Sequence, residues 1–309
     1  PLFGTVSLDG TVSDDGSPVP PGVVTTLWSQ VSGVGTASFA EPDAIDTTVT
    51  FDLPGTYVLR LTGDDGHLTT FDEMTVSVSG STVPESVSLI REDCTGVSGC
   101  YTSLAAWEAT EQRNLVASGE VAVARIEGVW NTPDTTGFTI DGWTTDSDHH
   151  VKIVAVGPAR HAGVWSETAY RLASAAGTVL VVRDAFTHIE GLQIGGTRVG
   201  SQALVFLSSG ATRTRITGNL LTKLSGGGSN NGAVVSNAWD NIIQVDHNIV
   251  QDLQFGIGNF NGSSLTQLHA YANTIHGATE GLTSAAPGSV LARNNLIVGS
   301  TSAASGTFA

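Results

Sequence analysis

Lysine is nearly absent from this 309-residue chain. Of 13 Lys and Arg residues only Lys152 and Lys223 are lysine, against 29 Asp and Glu, for a formal net charge of -16. A surface so poor in cations repels phosphate backbones, which argues against a nucleic-acid partner. Long hydrophobic runs are missing too. No stretch of ~20 apolar residues occurs, so no helical membrane span is expected. Methionine occurs once, and with Lys also scarce the usual helix formers are thin. Cysteine occurs only at Cys94 and Cys100, too few and too closely spaced for a zinc framework. What the chain does have is 37 glycines, 40% hydrophobic residues and only 14% charged ones. With Val, Thr, Ser and Asn abundant, that is enough apolar material for a large core, in a composition that favours strands. The fold class expected is all-β.

The acid is unevenly spread. Residues 1–80 hold eleven Asp and Glu against the single base Arg60, whereas residues 81–309 hold eighteen against twelve. Gly80-Ser81-Thr82-Val83-Pro84 suits a boundary between them. The organisation expected is a β-sandwich over 1–80, a linker over 81–103 and a solenoid over 104–309.

In the first eighty residues, short strand-like segments are separated by turn signals such as Asp14-Asp15-Gly16, Pro54-Gly55 and Asp64-Asp65-Gly66. Tyr57, Leu59 and Leu61 alternate onto one face, as in a small antiparallel sandwich. The runs Val6-Ser7-Leu8-Asp9-Gly10-Thr11-Val12-Ser13-Asp14-Asp15-Gly16, Leu27-Trp28-Ser29-Gln30 and Pro54-Gly55-Thr56-Tyr57-Val58-Leu59-Arg60-Leu61-Thr62-Gly63-Asp64-Asp65-Gly66 resemble a PKD-like, immunoglobulin-type domain. Domains of that family usually begin with a strand ahead of Val6. Its lack here implies an open edge that either reflects a trimmed chain or takes a strand from another chain. The resemblance also brings Asp14, Asp15, Asp64 and Asp65 to one end of the sandwich. Two readings of these carboxylates stand: solvated Asp-Gly turns, or an oxygen-ligand site for calcium.

Repeats dominate the rest. A phrase of apolar, polar, Asn or Gly, then apolar residues recurs as Ile189-Glu190-Gly191-Leu192, Ile216-Thr217-Gly218-Asn219-Leu220, Val245-Asp246-His247-Asn248-Ile249, Ala270-Tyr271-Ala272-Asn273-Thr274-Ile275 and Ala292-Arg293-Asn294-Asn295-Leu296-Ile297. The recurring slot is Gly191, Asn219, Asn248, Asn273 and Asn295. Coils of this length, each with three short strands, close no core alone but bury an apolar stripe when stacked. Asn at one turn of every coil would form a hydrogen-bonded ladder and tolerate the left-handed corner. The pattern resembles a right-handed parallel β-helix of the pectin-lyase-like type. Residues 102–110 form the best helical segment, with Leu104 and Trp107 on one face and Ser103 as N-cap, suited to capping the first coil. Tyr101-Thr102-Ser103-Leu104-Ala105-Ala106-Trp107-Glu108, Phe138-Thr139-Ile140-Asp141-Gly142 and Arg160-His161-Ala162-Gly163 resemble the opening of secreted β-helix proteins. A disulfide between Cys94 and Cys100 would close a seven-residue loop and imply an oxidising, extracytoplasmic compartment.

β-Helices often carry polysaccharide lyases or hydrolases. A lyase needs a Lys or Arg base beside Ca²⁺-binding acids, and a hydrolase needs paired carboxylates about 5–9 Å apart. The coil acids Asp184, Asp240, Asp246 and Asp252 are scattered singly, and no catalytic residue can be nominated. Asp146-Ser147-Asp148-His149-His150 has the residue types to bind a metal, but no further ligand is tied to it by spacing, which favours a polar turn. Trp130, Trp143, Trp165 and Trp239 are candidates for stacking on glycans. The opening Pro1-Leu2-Phe3-Gly4 carries no basic or long apolar leader, so a processed or internal piece is expected. Residues 299–309 form a small-residue tail without a capping helix. An uncapped coil and an unfinished sandwich would meet head to tail in a non-closing filament. The function expected is an extracellular or cell-surface structural or adhesive protein; the alternative is a polysaccharide-binding or polysaccharide-degrading one.

Overall fold

The computed structural model describes residues 6–17, 23–51, 53–79, 83–174, 178–196, 202–224, 231–238, 242–260, 267–285, 290–306 and 308. The chain divides into two compact units, Pro1–Thr82 and Val83–Ala309.

The first unit holds two antiparallel three-stranded sheets. In one, Thr47–Phe51 is flanked by Val6–Leu8 and Ala37–Phe39; in the other, Gly55–Asp64 is flanked by Thr25–Ser32 and Thr69–Val78. Alternation along the central strands sends Val49, Phe51, Tyr57 and Leu59 inward, where they meet Leu8, Trp28 and Val78. The two polar aromatics keep their donors satisfied in this core. Trp28 Nε1 donates to the Ile45 carbonyl at 3.0 Å, and the Tyr57 hydroxyl to that of Leu53 at 2.7 Å.

The second unit is a parallel β-solenoid of about six turns. Among the described residues its three sheets have seven, nine and six strands, and each of the six coils from Val151 onward contributes one strand to each. One such coil runs Thr187–Glu190 in the nine-stranded sheet, Gln193–Gly196 in the six-stranded sheet and Gln202–Leu207 in the seven-stranded sheet. Parallel pairing stacks equivalent residues, so each inward position becomes an apolar column: Ile153, Ile189, Ile216, Val245 and Ala270 in one sheet, and Leu172, Ile194, Leu221, Val250 and Ile275 in another. No coil closes a core alone; stacking does it.

The stretch expected as a linker over 81–103 is largely solenoid. Glu85–Ile90 pairs in parallel with Val121–Ile126 over six positions, and Cys100–Tyr101 pairs with Leu89 and Ile90. Ser88 and Ile90 alternate inward, a short period-two signal masked by the Pro84 before it and the charged Arg91-Glu92-Asp93 after it. Residues 80–82 lie outside the described residues. A disulfide joins Cys94 to Cys100, closing the loop ahead of the terminal short strand.

The helix runs Leu104–Glu111, with Ser103 Oγ accepting from the Ala106 amide at 3.1 Å. Leu104 and Trp107 are buried in the solenoid core, and Trp107 stacks on Trp143 at 5.4 Å. A buried acid anchors the helix start. Asp134 accepts from the Leu104 amide at 3.1 Å and from the Tyr170 hydroxyl at 2.9 Å, while burial pushes its carboxyl above the usual range.

Candidate functional site

The nine- and six-stranded sheets meet at a two-residue corner that repeats coil after coil. Its first residue is left-handed: Gly191, Gly218, His247, Ala272 and Asn294 have φ of 76°, 59°, 57°, 51° and 54°. Its second residue carries the ladder. Asn219, Asn248, Asn273 and Asn295 each accept, through Oδ1, the backbone amide of the equivalent residue one coil earlier, at 2.9–3.0 Å. Each Nδ2 donates back to a carbonyl of that earlier coil: Ile189, Ile216, Val245 and Ala270, at 2.7–3.0 Å. Gly191 is displaced from the expected slot by one residue. Leu192 occupies the slot and Gly191 the left-handed position before it, because the strand register aligns Glu190 with Thr217 and Gln193 with Leu220. Left-handed backbone is therefore supplied by the residue preceding each asparagine, not by the asparagine itself.

In the coil that begins with Val151–Ala155 this corner is expanded into a strap, residues 156–170. It runs down the outer side of the corner and the six-stranded sheet. Arg160 ion-pairs with Glu190 at 2.7 Å, and its guanidinium lies where a Cβ on Gly191 or Gly218 would stand, 3.0–3.1 Å away. His161 Nε2 donates to the Gly218 carbonyl at 2.9 Å while its Nδ1 accepts from the Gly163 amide at 3.1 Å. Buried Gln193 and Arg171 hold the returning limb at Ser166, and Trp165 rests over Gly195. The left-handed corner is glycine where the strap passes and His247, Ala272 or Asn294 where it does not. That is the physical reason for the switch in residue type along the column.

The outer face of the nine-stranded sheet carries two rows rich in titratable side chains. One row runs Lys152, His188, Arg215, Gln244, His269; the next runs Arg125, Val154, Glu190, Thr217, Asp246, Tyr271, Arg293. Asp246 receives Arg215 at 3.0–3.1 Å, Thr217 Oγ1 at 2.7 Å and His247 Nδ1 at 2.9 Å. Burial pushes its carboxyl up, but the bonds from His247, Arg215 and Thr217 outweigh that and hold it at about 2. Burial, reinforced by Arg293, pulls His269 down to about 4, and burial pushes Tyr271 up to about 12. Among the described residues nine Lys and Arg side chains pair with carboxylates. Several pairs tie separate coils of the stack: Lys152–Glu85, Arg160–Glu190, Arg183–Asp141 and Arg215–Asp246.

The four aspartates expected at one end of the sandwich each cap a turn. Asp14 Oδ2 accepts the Gly16 amide, Asp15 Oδ1 that of Ser17, Asp64 Oδ1 that of Gly66, and Asp65 Oδ1 those of His67 and Leu68, at 2.6–3.0 Å. Asp146 does the same for Asp148 and His149. Among the described residues, no group of three or more His, Cys, Asp or Glu side chains is gathered closely enough to hold a metal ion.

Residues 3–78 match a family model described as K319L-like, PKD domain. No solved structure matches the chain. The protein is thus a PKD-like domain followed by a parallel β-solenoid. No helix among the described residues is long and apolar enough to cross a membrane.

Two of the tryptophans singled out in the solenoid, Trp130 and Trp143, serve its packing. Trp130 and Trp143 are 2% and 5% exposed, Trp130 edge-on to Tyr170 and Trp143 stacked on Trp107. Neither offers a face to a sugar. Trp165 is half-buried in the strap, its Nε1 donating to Glu167 at 3.0 Å; Trp239 lies outside the described residues. The strap and the histidine row escaped the sequence reading. The signal for the strap was the corner residue changing from Gly to His between coils; the histidine row becomes visible only once strand register is known.

Proposed function

We propose that this is an extracellular structural or adhesive protein: a stiff solenoid rod joined to a PKD-like domain that takes part in β-strand addition between chains. The observation that carries the reading is where the polar chemistry is engaged. The asparagines bond coil to coil along one corner, and paired cations tie separate coils of the stack, so these groups work on the rod itself. A lyase base must instead be free to take a proton from its substrate. In this reading the stack winds right-handed, the Leu104–Glu111 helix covers its first coil, and the disulfide suits an oxidising exterior.

The PKD-like domain supplies the joining edge. Thr69–Val78 pairs on one side only, with Gly55–Asp64, among the described residues. Met74 sits opposite buried Leu59, on the inward side of the sheet, and is still 40% exposed; Phe71 on the same strand is 56% exposed. A long, exposed, partly apolar edge is a template for another strand. The test is sedimentation velocity with negative-stain microscopy over a concentration series. Assembly that grows with concentration, and is lost in Met74→Lys, supports the reading; monomers at every concentration overturn the joining role. Release of unsaturated uronate or reducing sugar from polysaccharides would overturn the structural reading as a whole.

A further inference from the structure

On the outer face of the nine-stranded sheet two imidazoles stand in an unusual electrostatic setting. The register places His188 directly between Lys152 on the preceding strand and Arg215 on the following one. Adjacent rungs are about 4.8 Å apart, so His188 has a cation on either side. His150, at the start of the Val151–Ala155 strand, packs its ring 4.4 Å from that of His188, tilted by 46°. Both histidines are only 9% exposed, so an added charge on either would be poorly solvated. The charged groups facing the pair are Lys152 from its own strand, Glu85 from Glu85–Ile90, Asp148 from the preceding turn and Arg215 from the next strand. Glu85 is engaged by Lys152 at 3.3 Å, and Asp246 by Arg215. Flanking cations disfavour a metal ion here as much as a proton.

We propose that the His150–His188 pair, set between Lys152 and Arg215, is an acid-operated latch: neutral, it seals the seam between strands Val151–Ala155 and Thr187–Glu190, and protonated, it parts that seam. Titration supports the geometry. Burial, then the nearby Lys152, pulls His150 down to about 4; burial, then His150, Arg215 and Lys152, puts His188 well below the ordinary histidine range. Because both folded values lie below the unfolded one of about 6.5, the seam is fully stable above that pH. Stability is lost as the pH falls from about 6.5 toward 4. Protonation of both rings would line up four positive side chains across three neighbouring rungs.

Backbone hydrogen exchange, corrected for the intrinsic rate and followed by mass spectrometry from pH 7.5 to 4.5, tests the latch on the full chain. Exchange in 151–155 and 187–190 should accelerate at least tenfold below about pH 5, while 245–249 on the asparagine corner stays protected. His188→Gln, which cannot take a charge, should keep the seam protected at low pH; His188→Lys should show the open pattern already at pH 7.5. If His188→Gln does not fold, His150→Gln and the imidazole NMR titration of the wild type decide instead. A pH profile unchanged by the glutamine variants, or a His188 titration at 6.5 or above, overturns the proposal.

Discussion

Asn248 sits mid-ladder, and its removal has a magnitude that can be worked from its bonds. In Asn248→Ala the buried Asn219 amide loses its acceptor at 2.9 Å and the Ile216 carbonyl loses a donor at 2.8 Å, while the Asp246 carbonyl loses one donor at 3.0 Å but keeps the Gly218 amide at 3.1 Å. Orphaned buried backbone groups cost about 1–3 kcal/mol each. With partial relief by relaxation, the total is about 3–5 kcal/mol. For a unit of this size each kcal/mol shifts the midpoint by about 2–4 °C, so the solenoid transition should fall by roughly 10 °C. Asn295 makes the same kinds of bond, to Asn273 and Ala270, but these are only part-buried and water can replace them. Asn295→Ala should therefore cost about 1 kcal/mol. Asn248→Asp keeps the acceptor but loses both donors and buries a charge, so it should be at least as damaging as alanine. Scanning calorimetry of the three variants measures this. Equal losses at 248 and 295, or a loss below about 1 kcal/mol at 248, would refute the argument that buried main-chain satisfaction is what the ladder provides.

Other outcomes follow from the same geometry. Replacing Cys94 and Cys100 together by serine should cost roughly 2 kcal/mol by the loop-entropy estimate for a seven-residue loop, read as a lower midpoint for the solenoid transition. Gly218→Ala meets both a φ of 59° and the Arg160 guanidinium at 3.0 Å; a loss of about 1–2 kcal/mol is expected, with the Arg160–Glu190 pair displaced. Ala272→Gly, at a φ of 51° where no strap passes, should be neutral to stabilising by up to about 1 kcal/mol. In the PKD-like domain, each of the four turn aspartates is already bonded to its own turn amides. Melting with EDTA or with millimolar calcium should therefore agree within a degree, and a calcium-dependent rise of several degrees would show a bound ion.

Much of the fold was legible because its causes are local. The Asn219, Asn248, Asn273 and Asn295 corners announce themselves by a polar residue of fixed type flanked by apolar strands, and Tyr57, Leu59 and Leu61 by strict alternation. The ladder was mis-set by one residue at Gly191 because glycine and asparagine both tolerate left-handed backbone, so residue type alone does not say which occupies which place in a two-residue corner. Glu85–Ile90 was missed because a six-residue strand between a proline and a charged run gives a weak period-two signal. Trp130 and Trp143 misled for a different reason: an indole looks the same in sequence whether it packs on Trp107, as Trp143 does, or faces solvent. The His150–His188 pairing depends on the register of three strands, which no local pattern encodes.

The two-residue corner also divides labour around the coil. Its spacing along the chain changes from 27 to 29, 25 and 22 residues, yet the corner itself never lengthens from Gly191 onward. All variation in coil length is therefore absorbed by the other two corners, while this one keeps the count. Among the described residues the expansions of this corner, residues 127–133 and the strap, fall in coils above the first ladder bond, where no asparagine depends on them. The solenoid thus behaves like a bound book: one spine fixes page to page, and the free margins are where new text can be inserted. Loops grafted at the free margins should alter what the rod touches and leave its pitch unchanged.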